Sequence, residues 1–156
     1  MLHSRFKQWL YRGNRPNLLA QLMNRWWGWV ASIGITRNYM ETLEVVGRKS
    51  GRLVSFPVAI AVVEGQQYLV SMLGNDAQWV HNVRTAHGQA ALRSGRRREV
   101  RLEEVPVEQR APILQAYIKR APGARPHMLP LTIDSPLTDF ERAADQFPVF
   151  RIVNVA

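Results

Sequence analysis

The feature that most constrains the fold is a succession of short period-two segments joined by glycine-bearing turns. Glu41 to Val46 reads as a strand and ends in Gly47-Arg48-Lys49-Ser50-Gly51. Leu53 to Val63 reads as its partner, with Pro57 restricting it to an edge or a bulge, and Glu64-Gly65-Gln66 turns the chain into a third strand, Tyr68 to Met72. Ala90 to Arg93 and Glu99 to Val105 form a second hairpin around Ser94-Gly95, with Val100 and Leu102 alternating with Arg101 and Glu103. Pro148 to Val155 alternates as a last strand. Six strands joined mostly by hairpins exclude a doubly wound parallel sheet, which needs a helix after nearly every strand. The expected class is α+β, mainly β: a small antiparallel barrel with peripheral helices.

The helical periods fall between and before these strands. Leu19, Leu22, Met23, Trp26, Val30 and Ile33 recur every three or four residues and predict an amphipathic helix ending at Gly34. Residues 1–36 are therefore expected to be a helical segment and residues 37–156 the barrel. Asp76 is the expected N-cap of a helix from Ala77 to about Ala86, closed by His87-Gly88. Val107 to Lys119 has helical spacing, Ala121 to Pro136 is expected to be an irregular crossing loop, and Ser135-Pro136 opens a short helix reaching Gln146.

Composition narrows the function. The sequence has no cysteine, which removes disulfides, thiolate ligands and a cysteine nucleophile, so redox chemistry requires a bound cofactor. His3, His81, His87 and His127 lack zinc-like spacing, and no metal site is expected. No Gly-x-Ser-x-Gly elbow supports a hydrolytic triad. Lysine and arginine number 21 against 12 acidic residues, a formal charge of +9 that attracts anions. Before Glu41 there is no acidic residue, and Trp26, Trp27 and Trp29 stand among arginines, so residues 15–34 suit peripheral contact with a membrane face as well as docking on the barrel. That run is too interrupted to span a bilayer, and no secretory pattern opens the chain; a cytoplasmic protein is expected.

Two local motifs carry candidate chemistry. In the first turn, two glycines permit a tight backbone with exposed amides, Arg48 can grip an anion with two N–H groups, Lys49 adds a mobile charge and Ser50 a hydroxyl. The turn lacks P-loop spacing, and a solvated hairpin tip remains the plain alternative. In Asp76-Ala77-Gln78-Trp79-Val80-His81-Asn82-Val83-Arg84, Trp79 and Asn82 share a helix face and can meet one ligand; a packed indole and a local hydrogen-bonding amide are the alternative. Arg93, Arg96, Arg97 and Arg98 flank the second hairpin without neighbouring aromatics, which argues against nucleic acid and for a solvated hairpin or a rim for an acidic tail.

Taken in order, Glu44-Val45-Val46-Gly47-Arg48-Lys49-Ser50-Gly51 with Pro57, then Gln78-Trp79-Val80-His81-Asn82-Val83-Arg84, then Arg98-Glu99-Val100-Arg101, resemble the deazaflavin-dependent nitroreductase family. The resemblance runs from about Glu41 to about Ala121 and includes the last strand. It implies a split β-barrel related to flavin-binding barrels, and binding of coenzyme F420, a 5-deazaflavin with a phosphate and a polyglutamate tail; flavin mononucleotide (FMN) is the alternative. By motif position Arg48, Lys49, Ser50 and Gly51 hold the phosphate and tail. Gln78, Trp79 and Asn82 lie by the ring or its linker, and Ser71, Met72, Leu73 and Gly74 offer backbone contacts. The sequence departs from the family pattern at Val54, where members commonly carry arginine and Arg52 is the nearest substitute, at Val80 in place of tyrosine, and at Met72 and Leu73 in place of lysine. The implied activity is hydride transfer from reduced deazaflavin to a quinone, enone or nitroaromatic. Barrels of this type often pair, so a homodimer is among the expected assemblies. A non-catalytic carrier of lipid, flavin or haem is the rival class, which the more apolar site favours.

Overall fold

The computed structural model describes residues 11–12, 15–16 and 40–155. The chain divides into two compact units, Met1–Arg37 and Asn38–Ala156. In the first, strands β1 (Tyr11–Arg12) and β2 (Arg15–Pro16) pair antiparallel. The expected amphipathic helix and its membrane contact lie outside the described residues.

The second unit is a closed six-stranded barrel of β3 (Met40–Val46), β4 (Leu53–Val63), β5 (Gln66–Val70), β6 (Gln89–Ser94), β7 (Arg96–Glu104) and β8 (Val149–Asn154). The strand order is β3-β4-β5-β8-β7-β6, and every pairing is antiparallel. It is a split β-barrel, and its interior is packed. Leu43, Phe56, Ile60, Leu69, Leu92, Leu102, Phe150 and Ile152 are all buried. On β7 buried Val100 and Leu102 alternate with exposed or half-buried neighbours, whereas on β4 Phe56 to Ala61 are buried throughout, because the helix Ala111–Arg120 covers that strand. Pro57 pairs with Thr42 of β3, but the ladder to β5 begins only at Ile60, so the proline sits where β4 has a neighbour on one side.

Several boundaries differ from the sequence reading, each for a local reason. Glu64 and Gly65 both take positive φ, 51° and 77°, which makes a two-residue hairpin loop and starts β5 at Gln66. The third strand ends at Val70 because the Ser71 hydroxyl turns back to donate to the Gly74 carbonyl at 2.7 Å. Helix α1 spans Gln78–Thr85, and its N-cap is Ala77 with no side-chain cap; Asp76 is exposed and does not cap it. The expected helix from Val107 is divided. A 3-10 turn, Val107–Gln109, precedes α2 (Ala111–Arg120), because Pro112 lacks an amide hydrogen and is tolerated only in a first turn. The crossing loop contains a 3-10 turn, Pro122–His127, and buries Ala124, Met128 and Leu131. Helix α3 covers Leu137–Ala143 and tightens into a 3-10 turn, Ala144–Gln146.

Gly88 shows how closely α1 is joined to the barrel. Its φ is +81°, and a Cβ there would stand 2.3 Å from the Leu102 carbonyl oxygen. Gly88→Ala is expected to destabilise by about 2–5 kcal/mol, combining left-handed strain with overpacking. Gly95→Ala, with φ +77° and nothing within 4 Å of its Cβ, isolates the strain, about 1–2 kcal/mol. Chemical denaturation of both variants checks this, and equal losses would refute the steric part.

Candidate functional site

The β3–β4 turn is closed by its own backbone. The Gly47 amide donates to the Arg52 carbonyl at 2.6 Å, and the Gly51 amide to the Gly47 carbonyl at 2.8 Å. Gly51 has φ +71°, the conformation that glycine supplies at least cost. Ser50 Oγ accepts the Arg52 amide at 3.3 Å, while the amides of Lys49 and Ser50 donate to nothing among the described residues. Lys49, Ser50, Gly51 and Arg52 are exposed and Arg48 is half-buried.

Arg48 joins the turn to α1. Its backbone amide and its Nη1 both donate to Asn82 Oδ1, at 3.1 and 2.9 Å, and its Nη2 donates to Gln78 Oε1 at 2.7 Å. The two sequence motifs therefore meet through one guanidinium. Trp79, on the same helix, is 6% exposed and its ring packs on Phe150 with centroids 5.6 Å apart. Met72 is buried, whereas Leu73 and Gly74 are half-buried on the segment between β5 and α1. That segment is anchored to the chain before β8. The Ser71 amide donates to the Pro148 carbonyl, and Asn75 Nδ2 to the Asp145 carbonyl at 3.0 Å.

The charge distribution separates this turn from the other basic hairpin. Arg93 and Arg97 donate to the two oxygens of Glu44 at 2.8 and 3.1 Å, and Arg98 to Glu41 at 2.9 Å. Arg98 also reaches Asn154 and Gln67, so residues from β3, β5, β7 and β8 meet at one guanidinium. Much of the β6–β7 basic patch is thus neutralised within the barrel. Arg48, Lys49 and Arg52 form no ion pair with a carboxylate among the described residues. Three cations without a carboxylate partner among the described residues therefore stand together at the turn.

Sequence reading missed the Glu44 cluster because an acidic residue within a strand looks solvated; the register supplies the missing signal, bringing β6 alongside with Ala91 opposite Glu44. Burial raises the Glu44 pKa, but the hydrogen bonds and the positive charges of Arg97 and Arg93 together outweigh it and hold the carboxyl below its ordinary value of 4.5. A depressed folded-state pKa means that ionised Glu44 stabilises the fold above the unfolded value, and that this contribution fades as pH falls through the folded one. Glu44→Gln is expected to be less stable than the native protein at neutral pH, with the gap closing in acid. Thermal melts across that range check it, and a pH-independent gap would contradict it.

The model for the F420H(2)-dependent quinone reductase family matches residues 24–127. Among curated proteins none matches the sequence. Of solved structures, a protein of unknown function from Agrobacterium tumefaciens aligns at TM-score 0.55 and 13% identity, covering 76% of this chain; the chain spans only 49% of that protein. A conserved hypothetical protein from Mycobacterium tuberculosis aligns at TM-score 0.55 and 18% identity, covering 81% of this chain and 80% of its own. An F420-H2 dependent reductase aligns at TM-score 0.50 and 17% identity, with 74% and 94% covered. At these identities the structural likenesses speak to the fold alone. The family match covers most of the chain, including both motifs that Arg48 joins, and the chain belongs to the F420H(2)-dependent quinone reductase family.

Proposed function

We propose that this protein is an oxidoreductase that binds reduced coenzyme F420 at the β3–β4 turn and transfers a hydride to an electron-poor acceptor, a quinone, an enone or a nitroaromatic. Family membership supports the coenzyme. The observation that carries the site is the set of three cations, Arg48, Lys49 and Arg52, with no carboxylate partner among the described residues. The residues fit the group: a phosphate and a chain of carboxylates need cations and N–H donors, and the turn offers both, including the amides of Lys49 and Ser50.

Reduced F420, when bound, supplies the hydride, and the acceptor gains two electrons with a proton drawn from solvent or a side chain. The protein's part is binding and orientation, which needs no protein nucleophile. Lys49, Ser50, Gly51 and Arg52 would hold the acidic portion, with Arg48 beside the start of α1, whose dipole adds positive potential. Met72 and Trp79 would support the ring from behind, because both are buried, and Leu73 and Gly74 would present backbone to its edge.

The test is an anaerobic assay of the purified protein with reduced F420 and a panel of one quinone, one enone and one nitroaromatic, alongside fluorescence titration with oxidised F420 and with FMN. Saturable F420 binding with enzyme-dependent reoxidation by at least one acceptor is the expected result. Binding without turnover across the panel would replace the enzyme with a carrier, and FMN binding in preference to F420 would replace the coenzyme.

A further inference from the structure

We infer that Gln78 and Asn82 are positioning residues, whose neutral amide oxygens fix the Arg48 guanidinium while leaving its charge uncompensated for an anionic ligand. The inference rests on the anion-cradle reading of the turn and assigns these two side chains a role through Arg48 in place of direct ligand contact.

Gln78 and Asn82 stand four residues apart on α1 and therefore share a face. Asn82 is buried, and its Oδ1 accepts both the backbone amide and Nη1 of Arg48, so one atom fixes the turn's backbone and its side chain together. Gln78 Oε1 fixes the second terminal nitrogen at 2.7 Å. A guanidinium carries five N–H donors, and these side-chain contacts use one on each terminal nitrogen, leaving Nε–H and the remaining terminal hydrogens for a ligand.

The type of acceptor matters as much as its position. Elsewhere in the barrel Arg84 is held by Glu104, Arg93 and Arg97 by Glu44, and Arg98 by Glu41, so orientation there comes with charge cancellation. At Arg48 the oxygens are amides. An amide orients a guanidinium without neutralising it, and a cation ordered before binding loses less conformational freedom when the ligand arrives.

Asn82→Asp and Gln78→Glu are near-isosteric changes that keep the acceptor oxygen and add a negative charge. The probe is inorganic pyrophosphate, followed by the Arg48 side-chain Nε–H resonance in the ligand-free protein, assigned by its loss in Arg48→Lys. In the native protein that resonance should be dispersed and ordered and should shift saturably with pyrophosphate. Each acidic variant should retain the order of Arg48 but bind pyrophosphate about tenfold or more weakly, the scale of one charge-assisted contact. In an Arg48→Ala background, the same acidic substitutions should have much smaller effects, since they act through the absent guanidinium.

Averaged, mobile Arg48 signals in the native protein would overturn the inference. So would equal pyrophosphate affinity in native and acidic variants, an effect that persists undiminished without Arg48, or no pyrophosphate response at all. Gln78→Glu lies at a half-buried position, so the measurement stands even if Asn82→Asp fails to fold. Oxidised F420 titrated in parallel separates the two readings: a pyrophosphate site without F420 affinity removes the coenzyme proposal and leaves the positioning role intact.

Discussion

The Lys49→Ala, Arg52→Ala double variant is expected to bind oxidised F420 roughly 30- to 1,000-fold more weakly than the native protein, a loss of about 2–4 kcal/mol for two charge-assisted contacts. Both side chains are exposed and neither forms an ion pair or a side-chain hydrogen bond among the described residues. Their removal therefore breaks no ion pair or side-chain hydrogen bond among the described residues, and the melting temperature should stay close to the native value. Arg52 contributes to the turn through its backbone, whose amide and carbonyl bonds survive the change to alanine. The native affinity should also fall as salt is raised, and that dependence should flatten in the variant, because two of the screened charges are gone. Fluorescence titration at two ionic strengths decides it. An affinity within threefold of native would mean that the cations of this turn only keep a hairpin tip soluble.

The barrel was legible because strand identity depends on local alternation and turn chemistry. Leu53–Val63 has in the structure the bounds that its sequence indicates, since Gly51 and Glu64-Gly65 mark both ends of a run rich in β-branched residues. The turn's anion-cradle composition was legible too, but not its partner. Residue types alone left Asn82 as either a ligand contact or a local hydrogen-bonding group, and only the fold shows that its oxygen faces Arg48. Trp79 is likewise open between wall and core in the sequence, which carries no sign that its ring packs on Phe150, far along the chain.

The errors cluster where a side chain answers to a distant backbone. Asp76 looked like an N-cap by position, yet Ala77 occupies that place with extended φ and ψ of −60° and 132°. Residues 107–119 had helical spacing, but Pro112 set the helix start. The second hairpin reads as a solvated turn or a rim for an acidic tail, and Arg93, Arg96 and Arg97 are indeed exposed; what the sequence hides is their ion pairing, because Glu41 and Glu44 reach these arginines only once β3 lies against β6 and the barrel closes. Charge pairing across non-consecutive strands has no sequence period, so alternation cannot show it.

Arg110→Ala is expected to cost about 2–4 kcal/mol, from three carbonyls that lose a charged donor; Glu104 keeps Arg84 and is one-third exposed, so no buried charge is orphaned. Arg110 is 5% exposed, and its guanidinium acts as a four-way tie. Nε donates to the Val105 carbonyl at 2.8 Å, Nη1 to the Ala144 carbonyl at 3.1 Å and the Phe147 carbonyl at 3.4 Å, and Nη2 to Glu104 at 3.2 Å. It thereby joins the end of β7 to the segment that leads from α3 into β8. Glu104 in turn holds Arg84 at the last turn of α1, so the tie reaches the helix that carries Gln78 and Asn82. Alanine would leave three carbonyl groups without this donor, and water would have to enter to satisfy them. Lysine keeps the charge but is a compact cation that cannot span the fork, so Arg110→Lys should recover only part of the loss. Because Glu104 belongs to the same network, Glu104→Gln combined with Arg110→Ala should cost less than the sum of the single variants. Urea denaturation reads all three, with a shifted midpoint at unchanged slope. A loss below about 1 kcal/mol for Arg110→Ala would mean that these carbonyls find water easily and that Arg110 is not what holds the segment before β8 to the barrel.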